Sequence, residues 1–233
     1  MINNNKLPIH VAIIPDGNRR WAKAHKLPVF EGHRRGYDVA NKITKYAHKM
    51  GIPILTYWAF STENWLRVKE EVGYLMMLFE KGIGHHLKEA LVDNVRIIHI
   101  GRKDRIPSRL REKIEDAEKK TNHFDKKYLV IALDYGGRDE IERAIEKVKS
   151  AKLKVQSYNN YNLNQFLDTK DLPQQEPDLI IRTGGEKRTS GFMLWQSEYS
   201  EYEFVNKLFP DFTTDDFDKI IDNFQERKRR FGK

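Results

Sequence analysis

Five short apolar runs punctuate the chain: Ile9 to Ile14, Ile54 to Phe60, Val95 to Ile100, Tyr128 to Leu133 and Leu179 to Ile181. They are continuous rather than alternating, the pattern of strands buried on both faces. Between and after them, apolar residues return every three or four positions. That spacing predicts helices over Arg34 to Met50, Glu70 to Leu91, Ser108 to Asn122, Arg138 to Ser150 and Thr214 to Arg229. Strand and helix in alternation predict an α/β fold, a single domain over residues 1–233 with a mostly parallel central sheet and helices on both faces. The stretch from Ala151 to Glu176, with Tyr158-Asn159-Asn160-Tyr161-Asn162, reads as loop with one short helix near Asn164 to Leu167.

The strand ends carry the chemistry. The first run leads straight into Asp16-Gly17-Asn18-Arg19-Arg20-Trp21, which puts a carboxylate, a glycine and two guanidinium groups in one loop. Mg²⁺ takes one or two carboxylates with waters and substrate phosphates, and the Arg fork matches phosphate oxygens in pairs. A turn alone would use Asp, Gly and Asn in the same way. Three further strand ends repeat the pattern, in Tyr57 through Arg67, in Ala132 through Arg138, and in Asp178 through Ser190 with two Arg, two Gly and two hydroxyls. Strand ends of a parallel sheet share one edge, so the four loops are expected to converge on one crevice.

These blocks resemble the cis-prenyltransferases, the undecaprenyl diphosphate synthase-like enzymes, from about His10 to Gly232. The motifs are His10 through Trp21, Glu31-Gly32-His33, Ala59 through Arg67, Asp134-Tyr135-Gly136-Gly137-Arg138, Arg182 through Ser190, and Phe192 through Gln196 leading to Tyr199-Ser200-Glu201. The resemblance implies condensation of isopentenyl diphosphate with an allylic prenyl diphosphate, a new cis double bond, a requirement for Mg²⁺ and an apolar tunnel for the growing chain. It implies that Asp16 holds the metal and assists departure of the diphosphate, and that Gly17, Asn18, Arg19, Arg20, Trp21 and His33 surround the allylic diphosphate. It further implies that Ser61 and Asn64 orient isopentenyl diphosphate and assist proton loss, within a segment that also brings Thr62, Glu63, Trp65 and Arg67 to substrate. By the same resemblance Arg67, Arg182, Arg188 and Ser190 correspond to the clamp on that diphosphate. Glu201 matches the family's second Mg²⁺ carboxylate, and the resemblance implies a homodimer in which the Arg230-Phe231-Gly232 tail reaches the site of a partner. Two positions depart from the family pattern. Val29 stands where an Arg commonly grips the allylic diphosphate, with Lys26, Arg34 or Arg35 as substitutes, and Gly191 stands where many relatives have Asn.

Apolar stripes on two helices bear on the tunnel: Val39, Ile43, Tyr46, Ala47 and Met50, then Val72, Leu75, Met76, Phe79, Ile83 and Leu87. Spacing alone makes them ordinary core faces. Gly82 and Gly84 in a helix interior cost about 1 kcal/mol each against Ala, so a kink or a cleared lumen is the expected reason for them.

Composition narrows the rest. A chain of 233 residues without Cys excludes a disulfide framework and Cys-ligated metal sites and suits a reducing cytosol. The polar N-terminus lacks a signal-peptide core and no run of eighteen apolar residues exists, which points to a cytoplasmic protein; the resemblance adds peripheral membrane contact through a lipid product. A net charge of +8, from 42 Lys plus Arg against 34 Asp plus Glu, favours anionic partners in general. No nucleic-acid-binding motif accompanies it, and the glycines fit neither a dinucleotide fingerprint nor a P-loop. Asp215-Asp216-Phe217-Asp218 reads as the acidic first turn of a helix capped by Thr213 or Thr214. His85-His86 are adjacent and do not share a helix face. A catalytically silent subunit is disfavoured by Asp16, and irregular, branching coupling is the closest alternative within the enzyme class.

Overall fold

The computed structural model describes residues 7–150 and 162–227. Six strands form one sheet: β1 (His10–Ile14), β2 (Ile54–Ser61), β3 (Val95–Ile100), β4 (Lys127–Tyr135), β5 (Leu179–Arg182) and β6 (Glu201–Phe204), in the order β3-β4-β2-β1-β5-β6. Every neighbouring pair is parallel. The six helices are α1 (Asn18–Ala24), α2 (Val29–Met50), α3 (Lys69–Asp93), α4 (Ser108–Thr121), α5 (Gly137–Ser150) and α6 (Thr214–Glu226).

The continuous apolar runs are explained by position. β1 lies in the middle of the sheet and is buried at every residue, as expected for a parallel strand covered on both faces. On one face Ile13, Leu55, Ile97 and Leu129 pack under Ile43, Leu75, Leu110 and Phe217 of α2, α3, α4 and α6. The other face carries α5, as expected of helices on both faces. Beside α5, irregular chain supplies Leu172, Phe192 and Met193, with Phe192 stacked 5.1 Å from Trp58. This segment is held to α5 by a buried polar network. Glu140 accepts from the Tyr135 hydroxyl at 2.6 Å, from Gln196 and from the backbone of Asp168, and Arg143 forks onto Asp168 at 2.7 and 2.6 Å.

Four boundaries differ from the sequence reading. Asn18 opens a helix rather than continuing a loop, because Gly17 turns the chain at φ 112° where a Cβ would lie 2.8 Å from Leu208. α2 begins at Val29, five residues early, since its first turn is exposed and shows no apolar periodicity. β6 went unseen because Glu-Tyr-Glu-Phe is an edge strand with two charges. The 3₁₀ turn in the loop-like stretch falls at Leu163–Gln165. Thr213 caps α6 in a capping box with Asp216, as the acidic first turn predicted.

Candidate active site

The chain leaves β1 toward β2 and leaves β5 toward β6, on opposite sides. The carboxyl ends of β1 and β5 therefore flank a topological switch point, the place where open parallel sheets form a crevice. Asp16 follows β1 and Arg182 ends β5, and they meet there: Arg182 donates to Asp16 Oδ2 at 2.9 Å while Arg20, one helical turn on, approaches Oδ1 at 3.3 Å. Arg182 is buried whereas Asp16 is partly open, so the pair holds the carboxylate at the rim of the pocket without sealing it. The same guanidinium donates to Ser190 Oγ at 2.9 Å and to the Arg188 carbonyl, tying the loop after β5 to the carboxylate. Its Nε is buried without a partner, as is Asn18 Oδ1 on the opposite wall.

Around Asp16 opens a polar pocket lined by Gly17, Asn18, Arg19, Arg20, Lys23, Val29, His33 and Arg67. Its far wall depends on a residue that sequence reading did not single out. Glu71, in the first turn of α3, is buried and accepts from Arg67 at 3.0 Å and His33 Nε2 at 3.1 Å, with Arg19 at 3.7 Å. One carboxylate thus gathers side chains from α1, α2 and the β2–α3 connection. Burial lowers the pKa of His33 below its ordinary value, with the Glu71 carboxylate opposing. α1 and α2 can pack this closely because Gly32 and Gly36 face Asn18. A Cβ on Gly32 would lie 2.1 Å from the Asn18 carbonyl, and one on Gly36 2.3 Å from Asn18 Oδ1.

The polar pocket shares Pro15, Asn18 and His33 with an apolar cavity that runs between α2, α3 and the sheet. The free volume of this cavity is about 130 Å³. Leu75, Phe79, Gly82 and Ile83 of α3 line it. From α2 come Gly36, Tyr37, Ala40, Asn41 and Thr44, so the stripe of Val39, Ile43 and Ala47 belongs to the core and the neighbouring face meets the lumen. Gly82 faces the cavity, where the Tyr37 ring lies 2.7 Å from the position its Cβ would take; Gly84 has no neighbour within 4 Å and does not line it.

Residues 14–232 match the prenyltransferase family model described as undecaprenyl diphosphate synthase. The chain belongs to the cis-prenyltransferases. It is 46% identical over 230 residues to an isoprenyl transferase of Thermotoga maritima, covering 97% of each chain. It is 42% identical to the farnesyl-diphosphate-specific ditrans,polycis-undecaprenyl-diphosphate synthase of Micrococcus luteus, covering 99% of this chain and 94% of the relative. Among solved structures it resembles lavandulyl diphosphate synthase from Lavandula x intermedia in complex with dimethylallyl diphosphate, with TM-score 0.91, 35% identity and coverage of 97% and 99%.

For this cis-prenyltransferase the fold assembles Asp16, Gly17, Asn18, Arg19, Arg20, His33 and Arg67 around one pocket, with Arg182 and Ser190 at its edge through Asp16. Trp21 points elsewhere: its indole donates to Asp211 at 2.7 Å and stacks on His25. Ser61 and Asn64 form a capping box on the 3₁₀ turn Thr62–Leu66, which places them at the end of β2 but occupies their polar groups with backbone. Trp65 donates to Asp134 Oδ1 at 2.9 Å, Thr62 packs against Gly136, and Glu63 is exposed. Arg188 is exposed and pairs with Glu186. Of the cations near the Val29 position, Lys23 lines the pocket, whereas Lys26, Arg34 and Arg35 do not.

Glu201 is not brought to Asp16 within one chain. It pairs with Leu179, itself level with Val11, so Asp16 lies five residues further along the strands, roughly 16 Å away at 3.3 Å per residue. Arg227 holds Glu201 at 3.0 Å and also pairs with Glu203. The Arg230-Phe231-Gly232 tail lies outside the described residues.

Proposed function

We propose that the protein elongates an allylic prenyl diphosphate with isopentenyl diphosphate to give a cis-polyprenyl diphosphate. The observation that carries this reading is the continuity of the Asp16 pocket with the apolar cavity through Pro15, Asn18 and His33. An allylic diphosphate fits with its head among Arg19, Arg20 and the α1 backbone and its chain in the tunnel. Its C1–O bond breaks, the diphosphate leaving with the bonding pair. The isopentenyl double bond attacks C1, and loss of a proton from isopentenyl C2 closes the new double bond. Asp16 with phosphate oxygens and waters would hold Mg²⁺; the donor set suits it, since the pocket offers one carboxylate rather than the three or four side chains of an all-protein cage. When bound, Mg²⁺ neutralises charge on the departing diphosphate. Arg19 and Arg20 place guanidinium donors beside the same oxygens, and Arg182 holds Asp16 and the Arg188 to Ser190 loop in one geometry. Ser61 and Asn64 are proposed to orient isopentenyl diphosphate after release from their capping box, and Arg67, Arg188 and Ser190 to hold its diphosphate.

The decisive assay is purified protein with labelled isopentenyl diphosphate and allylic starters of several lengths, with the products sized. Chelation of divalent metal is expected to stop turnover and added Mg²⁺ to restore it. Asp16→Asn is expected to lower kcat by a factor on the order of 10²–10³, with a much smaller change in allylic binding. Comparable turnover in that variant would remove Asp16 from the mechanism. The likeness to lavandulyl diphosphate synthase favours a second reading, branching coupling of two allylic diphosphates, which the same product analysis distinguishes.

The separation of Glu201 from Asp16 supports a homodimer in which Glu201 and the tail serve the partner's site. Among the described residues no helix is long and apolar enough to cross a membrane. A cytoplasmic enzyme handing a lipid to a membrane surface fits that observation.

A further inference from the structure

Helices α2 and α3 return antiparallel to the strands that precede them, so their N-termini lie at the sheet edge that carries Asp16 and Ser61. At this end the surface is unexpectedly apolar. Leu66 is 90% exposed and Val68 64%, at the entry to α3; Met77 is 45% exposed two turns on; Leu27, Val29 and Phe30 are exposed at the entry to α2. The Phe30 ring lies 5.3 Å from the Tyr74 ring of α3, across the α2–α3 seam that forms the outer wall of the tunnel. None of these side chains completes a core. Isolated exposed apolar residues are ordinary, but six of them at the one end of the molecule where two tunnel helices begin are not.

The charge around them has one sign in excess. Lys26, Arg35, Lys69 and Lys81 are exposed and make no ion pair among the described residues, against the exposed carboxylates of Glu63 and Glu70. The neighbouring Arg34, Arg109 and Lys113 are already matched by Glu31, Asp38 and Glu80. Apolar tips framed by unneutralised cations are the pattern of a surface that lies on an anionic bilayer. There each nearby Lys or Arg contributes about 1 kcal/mol and the apolar side chains enter the headgroup boundary.

We infer that the α2–α3 entrance face docks on anionic lipid bilayer, placing the tunnel seam against the membrane so that the polyprenyl chain leaves without crossing water. This rests on the proposed elongation reading only for its purpose. The docking itself follows from exposure and charge, and the two fail separately.

The test is co-sedimentation of the full chain with vesicles of phosphatidylglycerol and phosphatidylcholine, beside turnover of a short allylic starter in detergent. The wild-type protein is expected to sediment with anionic vesicles, to bind pure phosphatidylcholine at least tenfold more weakly, and to be released by salt. The double variant Val68→Glu, Met77→Glu is expected to partition at least tenfold less, since each side chain forfeits its burial in the headgroup boundary. Its turnover in detergent should stay at the wild-type level, which shows the fold intact. Phe30→Ser gives a second, independent loss from the α2 side. Sedimentation that is unchanged in both variants overturns the inference, as does failure of the wild-type protein to bind anionic vesicles. So does self-association through this face, detected as a mass that falls in the double variant. Absence of product in detergent would instead overturn the elongation reading.

Discussion

Asp16 and Glu71 show two uses of a carboxylate at the same site. Asp16 is partly open, with Arg182 on Oδ2 and Arg20 at 3.3 Å from Oδ1, whereas the Glu71 side chain is buried and spends its lone pairs on His33 and Arg67, with Arg19 nearby. Glu71→Gln keeps the shape and removes the charge that gathers these groups. It is expected to raise KM for a diphosphate substrate by roughly an order of magnitude with a smaller change in kcat, the loss of one charge-assisted contact. A fall in kcat alone would place Glu71 in the chemistry instead. Gly191 illustrates how a departure from a pattern becomes harmless: its φ is +87°, a left-handed conformation that Gly and Asn both tolerate, so the exchange follows backbone geometry.

At the scale of elements, α3 serves as core, tunnel wall and surface on successive faces. The periodicity of Leu75, Phe79 and Ile83 gave its inward face, yet which glycine mattered could not be read from spacing, because Gly82 and Gly84 are equally costly in a helix. The difference is Tyr37 across the lumen, whose ring occupies the space a Gly82 side chain would need. Gly82→Leu is therefore expected to push Tyr37 into the tunnel, shorten the products and cost about 1–3 kcal/mol of stability, while Gly84→Leu leaves product length unchanged. Product sizing with denaturation curves checks both. Equal product distributions in the two variants would show that chain length is set elsewhere.

Across the whole molecule, buried histidines give the stability a sign with pH. His10 donates through Nδ1 to the Gln174 carbonyl at 3.2 Å and accepts at Nε2 from Thr56 at 2.7 Å, and His99 donates to the Leu133 carbonyl at 3.0 Å; all three contacts suit neutral rings. Burial lowers both to about 4, and His48 and His86 move the same way. In the unfolded chain they titrate near 6.5, so between pH 6.5 and 4 the unfolded state binds more protons and stability falls with falling pH. His10 and His99 each withdraw up to about 3 kcal/mol by pH 4. The thermal midpoint is expected to be flat from pH 8 to 7 and to drop steeply below 6. Thr56→Val is expected to destabilise the fold at neutral pH, because it leaves a buried His10 nitrogen unpaired.

The alternation of buried runs and amphipathic stretches determined the parallel α/β sheet and the chemistry at its strand ends, because periodicity and strand-end composition are local properties. The motif blocks carried the family for the same reason: Asp16 through Arg20 and Arg182 through Ser190 keep their order in any conformation. Tertiary structure alone decided that Arg182 locks Asp16 at the switch point, that Glu71 gathers side chains from α1, α2 and the β2–α3 connection, and that Tyr37 rather than Ile43 meets the lumen. It also set Glu201 at the far end of its strand from Asp16. Each of these depends on strand order, register or helix rotation. A shift of one residue in register, or of a third of a turn in a helix, would exchange the partners without altering a letter of the sequence.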